Sequence, residues 1–217
     1  MKSQPTTIGI PELGRQATDF YLDTIKTSWT KTAHCPLLTL AVDFERINEY
    51  LPDRYSALAP LLGCMLEDLE ESVASIFLVP NITLHAALDR MDLDESTRRK
   101  IVSPMRAGVE AMHARGIHKI TLAGTRHTMT SKQIADYYET EEITVEFPSE
   151  SDIQTLDRIR LKVFREGYSE TLENKMERVL SGYKNVVLAC TELSILNPEK
   201  TFTDMARLQI SAALRQL

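Results

Sequence analysis

In the segment Val186–Ile195, VVLACTELSI, a short apolar run passes directly into a polar turn at Cys190. A second stretch, Ile76–His85 (IFLVPNITLH), has the same layout, with its polar turn at Asn81. The two stretches lie about half a chain length apart. An apolar strand that leads into a turn and then a helical pattern is typical of parallel α/β sheets. The pair therefore indicates two similar α/β halves.

Short apolar runs alternate with longer amphipathic runs along the rest of the chain. The predicted strands are Thr7–Ile10, Leu37–Val42, Ile76–Val79, Lys119–Ala123, Ile143–Phe147 and Val186–Ala189. The predicted helices are Gln16–Trp29, Leu58–Glu71, Met105–Ala114, Ser131–Tyr138, Ile153–Arg165, Glu170–Ser181 and Thr203–Arg215. This alternation predicts an α/β fold of two pseudo-symmetric domains, each with a mostly parallel sheet flanked by helices.

A charged stretch, DLDESTRRK, precedes Pro104 and a new helical pattern near the middle of the chain. Such a break between periodic segments is typical of a domain boundary. We expect residues 1–97, together with the C-terminal helix in residues 200–217, to form the first domain. Residues 98–199 then form the second.

Composition excludes several classes of function. The 217 residues carry a formal net charge of −6, so the chain lacks the basic footprint of nucleic-acid binders. No apolar run approaches the roughly 20 residues of a membrane span, and the N-terminus has no secretory pattern. The three cysteines are far apart, which favours reduced thiols in the cytoplasm. A glycine-rich phosphate loop is also missing, so we expect neither a nucleotide cofactor nor a metal.

Cys190 is the main candidate for chemistry. It follows a strand, and ligand sites in parallel α/β sheets lie beyond the carboxyl ends of strands. Backbone N–H groups of a following helix would favour its thiolate. The alternative is a buried packing cysteine, since free cysteine is among the most buried residue types. Cys35 and Cys64 have poorer positions, and we interpret both as packing residues.

Several polar residues could hold a carboxylate or support the thiol. Thr83 and Thr191 could bind a carboxylate through hydroxyl and amide groups, or could simply cap helices. His85 could exchange protons, although a lone histidine is more often a structural hydrogen-bonding group. Arg54 could clamp a second carboxylate, or could be an ordinary surface arginine.

A further candidate turn is LAGTRHTM, residues Leu122–Met129, which leaves a strand through a glycine. Its threonines, Thr125 and Thr128, could form an anion cradle. An ordinary strand-to-helix turn would have the same composition.

Five segments in order resemble the cofactor-independent aspartate/glutamate racemase superfamily. IGIPELGRQATDFY is similar to its opening strand and turn, and LPDRY to its Pro-Asp-Arg segment. VPNITLH resembles its Pro-Cys-Asn-Thr-Ala-His motif, and ACTEL its Gly-Cys-Thr-Glu motif. LAGTRHTM is most similar to the broad-specificity amino-acid racemase branch.

The resemblance implies an active site in the cleft between two similar domains, with one cysteine from each. One thiolate removes the α-proton and the opposing thiol returns a proton to the other face. It implies an isomerase that needs no pyridoxal phosphate or other cofactor and takes a small carboxylate or amino acid, and it is compatible with a homodimer. The implied substrate-binding residues are Arg54, Thr83, Thr125, Thr128 and Thr191, with His85 and Glu192 in support.

The chain departs from the family pattern at the first cysteine, where Asn81 stands instead. An asparagine amide cannot serve as acid or base near neutral pH. The opening turn also differs: Pro11 and Glu12 replace glycines and Arg15 replaces a proline, so Glu12 would repel an acidic substrate unless it points away or pairs with Arg15.

Three functions are compatible with these departures. The first is a one-sided isomerase that acts on aspartate, glutamate or a related carboxylate through Cys190, with any proton from the Asn81 side coming from water or His85. The second is a single-cysteine decarboxylase of the same fold. The third is a catalytically silent binding or regulatory protein.

Overall fold

The structure, a computed structural model, describes residues 6–217, and the chain forms two compact units. Unit 1 comprises the residues up to Ser103 together with Gln209–Leu217, and unit 2 comprises Pro104–Leu208. The sequence predicts domain boundaries at 97/98 and 199/200. In the structure the units meet at 103/104 and at 208/209, and the second of these positions lies inside the last helix. Each unit has a parallel sheet flanked by helices, so the predicted fold class is confirmed.

Unit 1 is built on a three-stranded parallel sheet in the order β2-β1-β3. Its strands are β1 (Ile8–Pro11), β2 (Leu37–Leu40) and β3 (Ile76–Phe77). Its helices are α1 (Arg15–Ser28), α2 (Phe44–Asn48), α3 (Tyr55–Glu71), α4 (Ile82–Leu88) and α5 (Glu95–Lys100). Leucines on one face of α3 pack with strand residues such as Phe77, because apolar residues at helical spacing form a single buried stripe.

Unit 2 is built on a four-stranded parallel sheet in the order β5-β4-β6-β7. Its strands are β4 (Lys119–Gly124), β5 (Thr144–Glu146), β6 (Val186–Ala189) and β7 (Thr203–Asp204). Its helices are α6 (Pro104–Ala114), α7 (Arg126–Thr130), α8 (Lys132–Glu139), α9 (Glu150–Glu166), α10 (Glu170–Leu180) and α11 (Thr191–Ile195). Helix α12 (Met205–Leu214) begins here and ends in unit 1.

The central strands β4 and β6 are buried along most of their length. Their near-continuous apolar sequence is what a parallel strand covered by helices on both faces requires. The register pairs Gly124 with Ala189, the last residues of the two strands. The segments that follow them therefore begin at the same edge of the sheet.

All six predicted strands and all seven predicted helices are present, with ends that differ by a few residues. The sequence analysis did not predict β7 or the short helices α2, α4, α5, α7 and α11. Segments of five to seven residues show too few periods of the apolar pattern to be separated from turns. No helix in residues 6–217 is long and apolar enough to cross a membrane.

Candidate active site

Cys190 occupies the junction between β6 and α11 in unit 2. It is the residue before the first turn of α11 and has extended backbone angles, so its side chain leaves the sheet where the helix starts. The residue is only 4% exposed and packs against the apolar core of unit 2. Its position beyond the carboxyl end of a central parallel strand is that of a ligand site in this class of fold.

The Cys190 thiol donates a hydrogen bond to the Glu192 carboxylate, with Sγ 2.9 Å from Oε2. Burial raises the pKa of this thiol well above its usual value, and the charge and hydrogen bond of Glu192 raise it further. Arg160 and the Leu193 backbone N–H oppose that shift. The helix amide at Leu193 does favour the thiolate, as expected, but burial and Glu192 outweigh it. Cys190 rests as a thiol beside a carboxylate acceptor.

Arg160 is the residue of this region that the sequence analysis missed. It lies on α9, is partly buried, and its Nε donates to Asp157 Oδ1 at 2.9 Å. Among residues 6–217 its other guanidinium N–H groups have no hydrogen-bond partner, while its charge lowers the pKa of the Cys190 thiol. A signal existed in the sequence, because the spacing of Ile153, Leu156 and Val163 places the charged Arg160 on the core-facing side of the helix.

Thr125 and Thr128 form the first turn of α7 at the same sheet edge. Thr125 Oγ1 accepts from the Thr128 backbone N–H at 3.0 Å and lies 2.9 Å from the Thr128 hydroxyl. Both threonines thus serve as a helix cap, the ordinary alternative for this turn. The pairing of Gly124 with Ala189 brings Thr125 and Cys190 to adjacent strand ends.

Gly124 permits the close approach of these two strand ends. A Cβ at this position would lie 2.9 Å from the Ala189 carbonyl oxygen and 2.9 Å from Thr128 Cγ2. Thr191, the first residue of α11, is buried and does not hold the capping position, which belongs to Cys190. The interpretation of Thr191 as an N-cap is therefore wrong.

Asn81 occupies the corresponding junction between β3 and α4 in unit 1. Its side-chain Oδ1 accepts from the Leu84 backbone N–H at 3.1 Å, so it caps α4. Thr83 lies within the first turn of α4 and is not the N-cap that the sequence offered as an alternative. Asn81 therefore performs a structural task that asparagine does well.

His85 is buried in unit 1 and is 1% exposed. Its Nε2 lies 3.2 Å from the Val79 carbonyl oxygen and 3.1 Å from Gln209 Nε2, and Gln209 accepts from the Tyr21 hydroxyl at 2.6 Å. Burial lowers the pKa of His85 to about 4. A neutral, buried imidazole cannot supply a proton near neutral pH, so His85 is the structural group of the two alternatives.

The remaining predicted residues lie on the surface of unit 1. The Arg54 guanidinium donates to the Glu49 carbonyl oxygen at 2.9 Å and lies over the Tyr50 ring. Arg15 forms an ion pair with Asp19 at 3.7 Å. Arg15 therefore pairs with Asp19, and this ion pair does not involve Glu12.

The structure also shows the exposure of the other two cysteines and which residues could bind a metal. Cys64 is exposed on α3, so its interpretation as a packing residue is wrong, whereas Cys35 is half-buried. Within residues 6–217, no group of three or more His, Cys, Asp or Glu side chains could hold a metal ion.

The chain has two parallel α/β units, each with a polar residue where a strand meets a short helix, and this architecture is that of the two-domain racemase folds. A family model for Asp/Glu/hydantoin racemases matches residues 13–206, so the chain belongs to the Asp/Glu/hydantoin racemase family. Sequence comparison with curated proteins finds no match.

Several solved structures are similar to this chain, among them the following three. A candidate Asp/Glu racemase from Yersinia pestis has a TM-score of 0.78 at 22% identity, over 98% of this chain and 99% of the other. An aspartate racemase homologue from Pyrococcus horikoshii has a TM-score of 0.75 at 20% identity, over 98% and 99%. The Picrophilus torridus aspartate racemase has a TM-score of 0.78 at 15% identity, over 97% and 93%. At these identities the similarity shows the fold.

Proposed function

We propose that the chain is a cofactor-independent, racemase-like isomerase that acts at the α-carbon of aspartate, glutamate or a related carboxylate. The observation that carries the proposal is the Cys190–Glu192 pair, a thiol and a carboxylate 2.9 Å apart at the carboxyl end of a central strand. Family membership supports the same chemistry. Cytoplasmic location and a homodimer belong to the proposal, as expectations from the sequence.

The proposed reaction uses the pair as a proton relay. Glu192 accepts the thiol proton, and the resulting Cys190 thiolate removes the α-proton of the substrate, which leaves a carbanion delocalised into the substrate carboxylate. Return of a proton from the re-formed thiol restores the same enantiomer. In D₂O the thiol equilibrates with solvent, so the returned atom is deuterium. Each step moves one proton and needs no oxidant or cofactor.

Arg160 is the proposed receptor for the substrate carboxylate in unit 2. Its guanidinium is positioned by Asp157, retains N–H groups without a partner in the described chain, and acts electrostatically on the thiol. A guanidinium fork matches a carboxylate, and its charge would stabilise the negative charge that develops when the α-proton leaves. Thr125, Thr128 and Thr191 supply further donors at the same sheet edge, and the resemblance adds Arg54 and Thr83 of unit 1.

The test is α-proton exchange in D₂O, with L- and D-aspartate and L- and D-glutamate each followed by proton NMR. We expect loss of the α-proton signal from one enantiomer faster than inversion, because one titratable thiol serves the site. Cys190→Ala should lower that rate by about 10³-fold or more while the melting temperature changes little. Exchange that persists in Cys190→Ala would contradict the mechanism.

A decarboxylase is the second candidate, favoured by the single thiol acid. A thiol that rests protonated can deliver a proton to an enolate from one face after carbon dioxide leaves. Release of carbon dioxide from a substituted malonate, without exchange of any amino acid, would support this candidate. If neither reaction occurs and a dicarboxylate still binds, the result supports the silent binding protein.

A further inference from the structure

Helix α11, which follows Cys190, is too short to hold its own geometry. It spans the five residues Thr191–Ile195, and isolated helices of this length are unstable in water. The positions of the Cys190 thiol and the Glu192 carboxylate therefore depend on what α11 contacts. Besides its packing on α9, α11 is held by hydrogen bonds to Asp204 at the end of β7 and Arg207 at the start of α12.

Ser194 connects the Cys190 backbone to a buried acid. Its hydroxyl lies 3.1 Å from the Cys190 carbonyl oxygen and 2.9 Å from Asp204 Oδ1. Ser194 is 0% exposed and Asp204 is 5% exposed, so water does not compete for these bonds. One hydroxyl hydrogen serves two acceptors here, which ties the start of α11 to the end of β7.

Asp204 is itself fixed by several donors. Its Oδ1 accepts from the backbone N–H groups of Ala206 and Arg207 at 2.9 and 3.2 Å, and its Oδ2 pairs with the Arg207 guanidinium at 2.5 Å. The same guanidinium donates to the Ser194 carbonyl oxygen at 3.2 Å. Asp204 and Arg207 thus hold Ser194 through both its side chain and its main chain.

We propose that Asp204 is a positioning residue for the candidate active site, acting through Ser194 to fix the turn that carries Cys190 and Glu192. This inference rests on the proposed function only in its kinetic test, because the alkylation test needs no enzymatic activity. A small displacement of a reacting group strongly slows a reaction that needs precise geometry, while substrate binding is affected much less.

The experiment compares Ser194→Ala, Asp204→Asn and the double variant in the full chain, with Ser181→Ala as matched control. Ser181 is exposed at the end of α10, where its hydroxyl donates to the Arg178 carbonyl oxygen. Three quantities are measured well below the melting temperature. These are kcat and KM for α-proton exchange, and the rate at which iodoacetamide alkylates the Cys190 peptide, followed by mass spectrometry.

We expect Ser194→Ala to lower kcat about tenfold with KM within about twofold, and to speed alkylation of Cys190 several-fold. Ser181→Ala should change neither. The double variant should have the same kcat and alkylation rate as Asp204→Asn, because both changes break the same Ser194–Asp204 hydrogen bond. If Asp204→Asn fails to fold, Ser194→Ala decides alone.

A lower melting temperature with unchanged kcat and alkylation rate in Ser194→Ala would overturn the inference. The Ser194–Asp204 hydrogen bond would then only stabilise the fold. Additive losses in the double variant would overturn it too. If the wild-type protein exchanges no α-proton, the proposed function fails, and the alkylation rates alone decide the role of Asp204: unchanged rates in Ser194→Ala reject it.

Discussion

The pKa of the Cys190 thiol is set by effects that oppose one another. The helix N–H at Leu193 and the charge of Arg160 favour the thiolate, but burial and the Glu192 carboxylate outweigh them, so the thiol pKa is raised. A buried charge without a closely matched partner is more costly than one helix amide can offset. In the proposed mechanism, Cys190 is therefore an acid at rest and becomes a base only after Glu192 takes its proton.

Glu192→Gln tests the carboxylate both as a negative charge beside the thiol and as a proton acceptor. Removal of its negative charge should lower the pKa of Cys190, so the pH profile of Cys190 alkylation should move to lower pH. Removal of the proton acceptor should at the same time lower kcat for α-proton exchange by about 10²-fold. A profile that moves to higher pH, or activity equal to wild type, would contradict the relay.

Arg160→Met tests the proposed carboxylate receptor. The change should raise KM for aspartate at least about tenfold, because a charge-assisted bidentate contact is lost. It should also raise the pKa of Cys190, which Arg160 lowers in the wild-type protein, and so move the alkylation profile to higher pH. Arg158→Met is the control, since Arg158 lies exposed on the same helix and donates to the Gln154 carbonyl oxygen. Equal KM values in the two variants would reject the assignment.

At the scale of elements, helix α4 contains a buried histidine that makes unit 1 sensitive to acid. His85 has a pKa of about 4 in the fold against 6.5 when free, so it binds fewer protons when folded. Its contribution to stability is complete above pH 6.5 and is lost as the pH falls towards 4. We expect the wild-type protein to lose about 2 kcal/mol more than His85→Gln between pH 7 and pH 5.

Urea unfolding at these two pH values measures the difference between wild type and His85→Gln. His118→Gln, which changes an exposed histidine before β4, should behave as the wild-type protein. A wild-type loss no larger than that of His85→Gln would mean that His85 does not couple folding to pH.

The long elements were predictable from the sequence, and the site only in part. Apolar runs such as Val186–Ala189 and the periodic pattern of α9 determine strands and helices locally. The motif around Cys190 predicted its position at a strand end. Its raised pKa was not predictable, because burial, the largest cause, is known only once the core of unit 2 is assembled, and the opposing charge of Arg160 comes from a helix 30 residues earlier. The same holds for Asp204, whose partner Ser194 is known only once β7 lies beside β6.

On the scale of the whole molecule, two units of one architecture carry different residues at equivalent junctions. Unit 2 places a thiol before α11, and unit 1 places a capping amide before α4. In the proposed reaction, only unit 2 therefore supplies a thiol at this junction. A molecule of this kind should exchange the α-proton of one enantiomer with retention and invert it slowly.

Asn81→Cys tests whether the missing thiol accounts for slow inversion. The family mechanism needs a second acid–base group, so this variant should increase the ratio of inversion to exchange by about tenfold or more. It should also lose about 1 kcal/mol of stability, because Asn81 caps α4 and cysteine caps poorly. Asn81→Ser is the matched control: serine keeps a good cap without a thiol, and should leave both stability and inversion near the wild-type values. Inversion is followed by chiral chromatography and stability by thermal melting. A stable Asn81→Cys protein with unchanged inversion would mean that unit 1 has lost more of the two-thiol chemistry than one side chain.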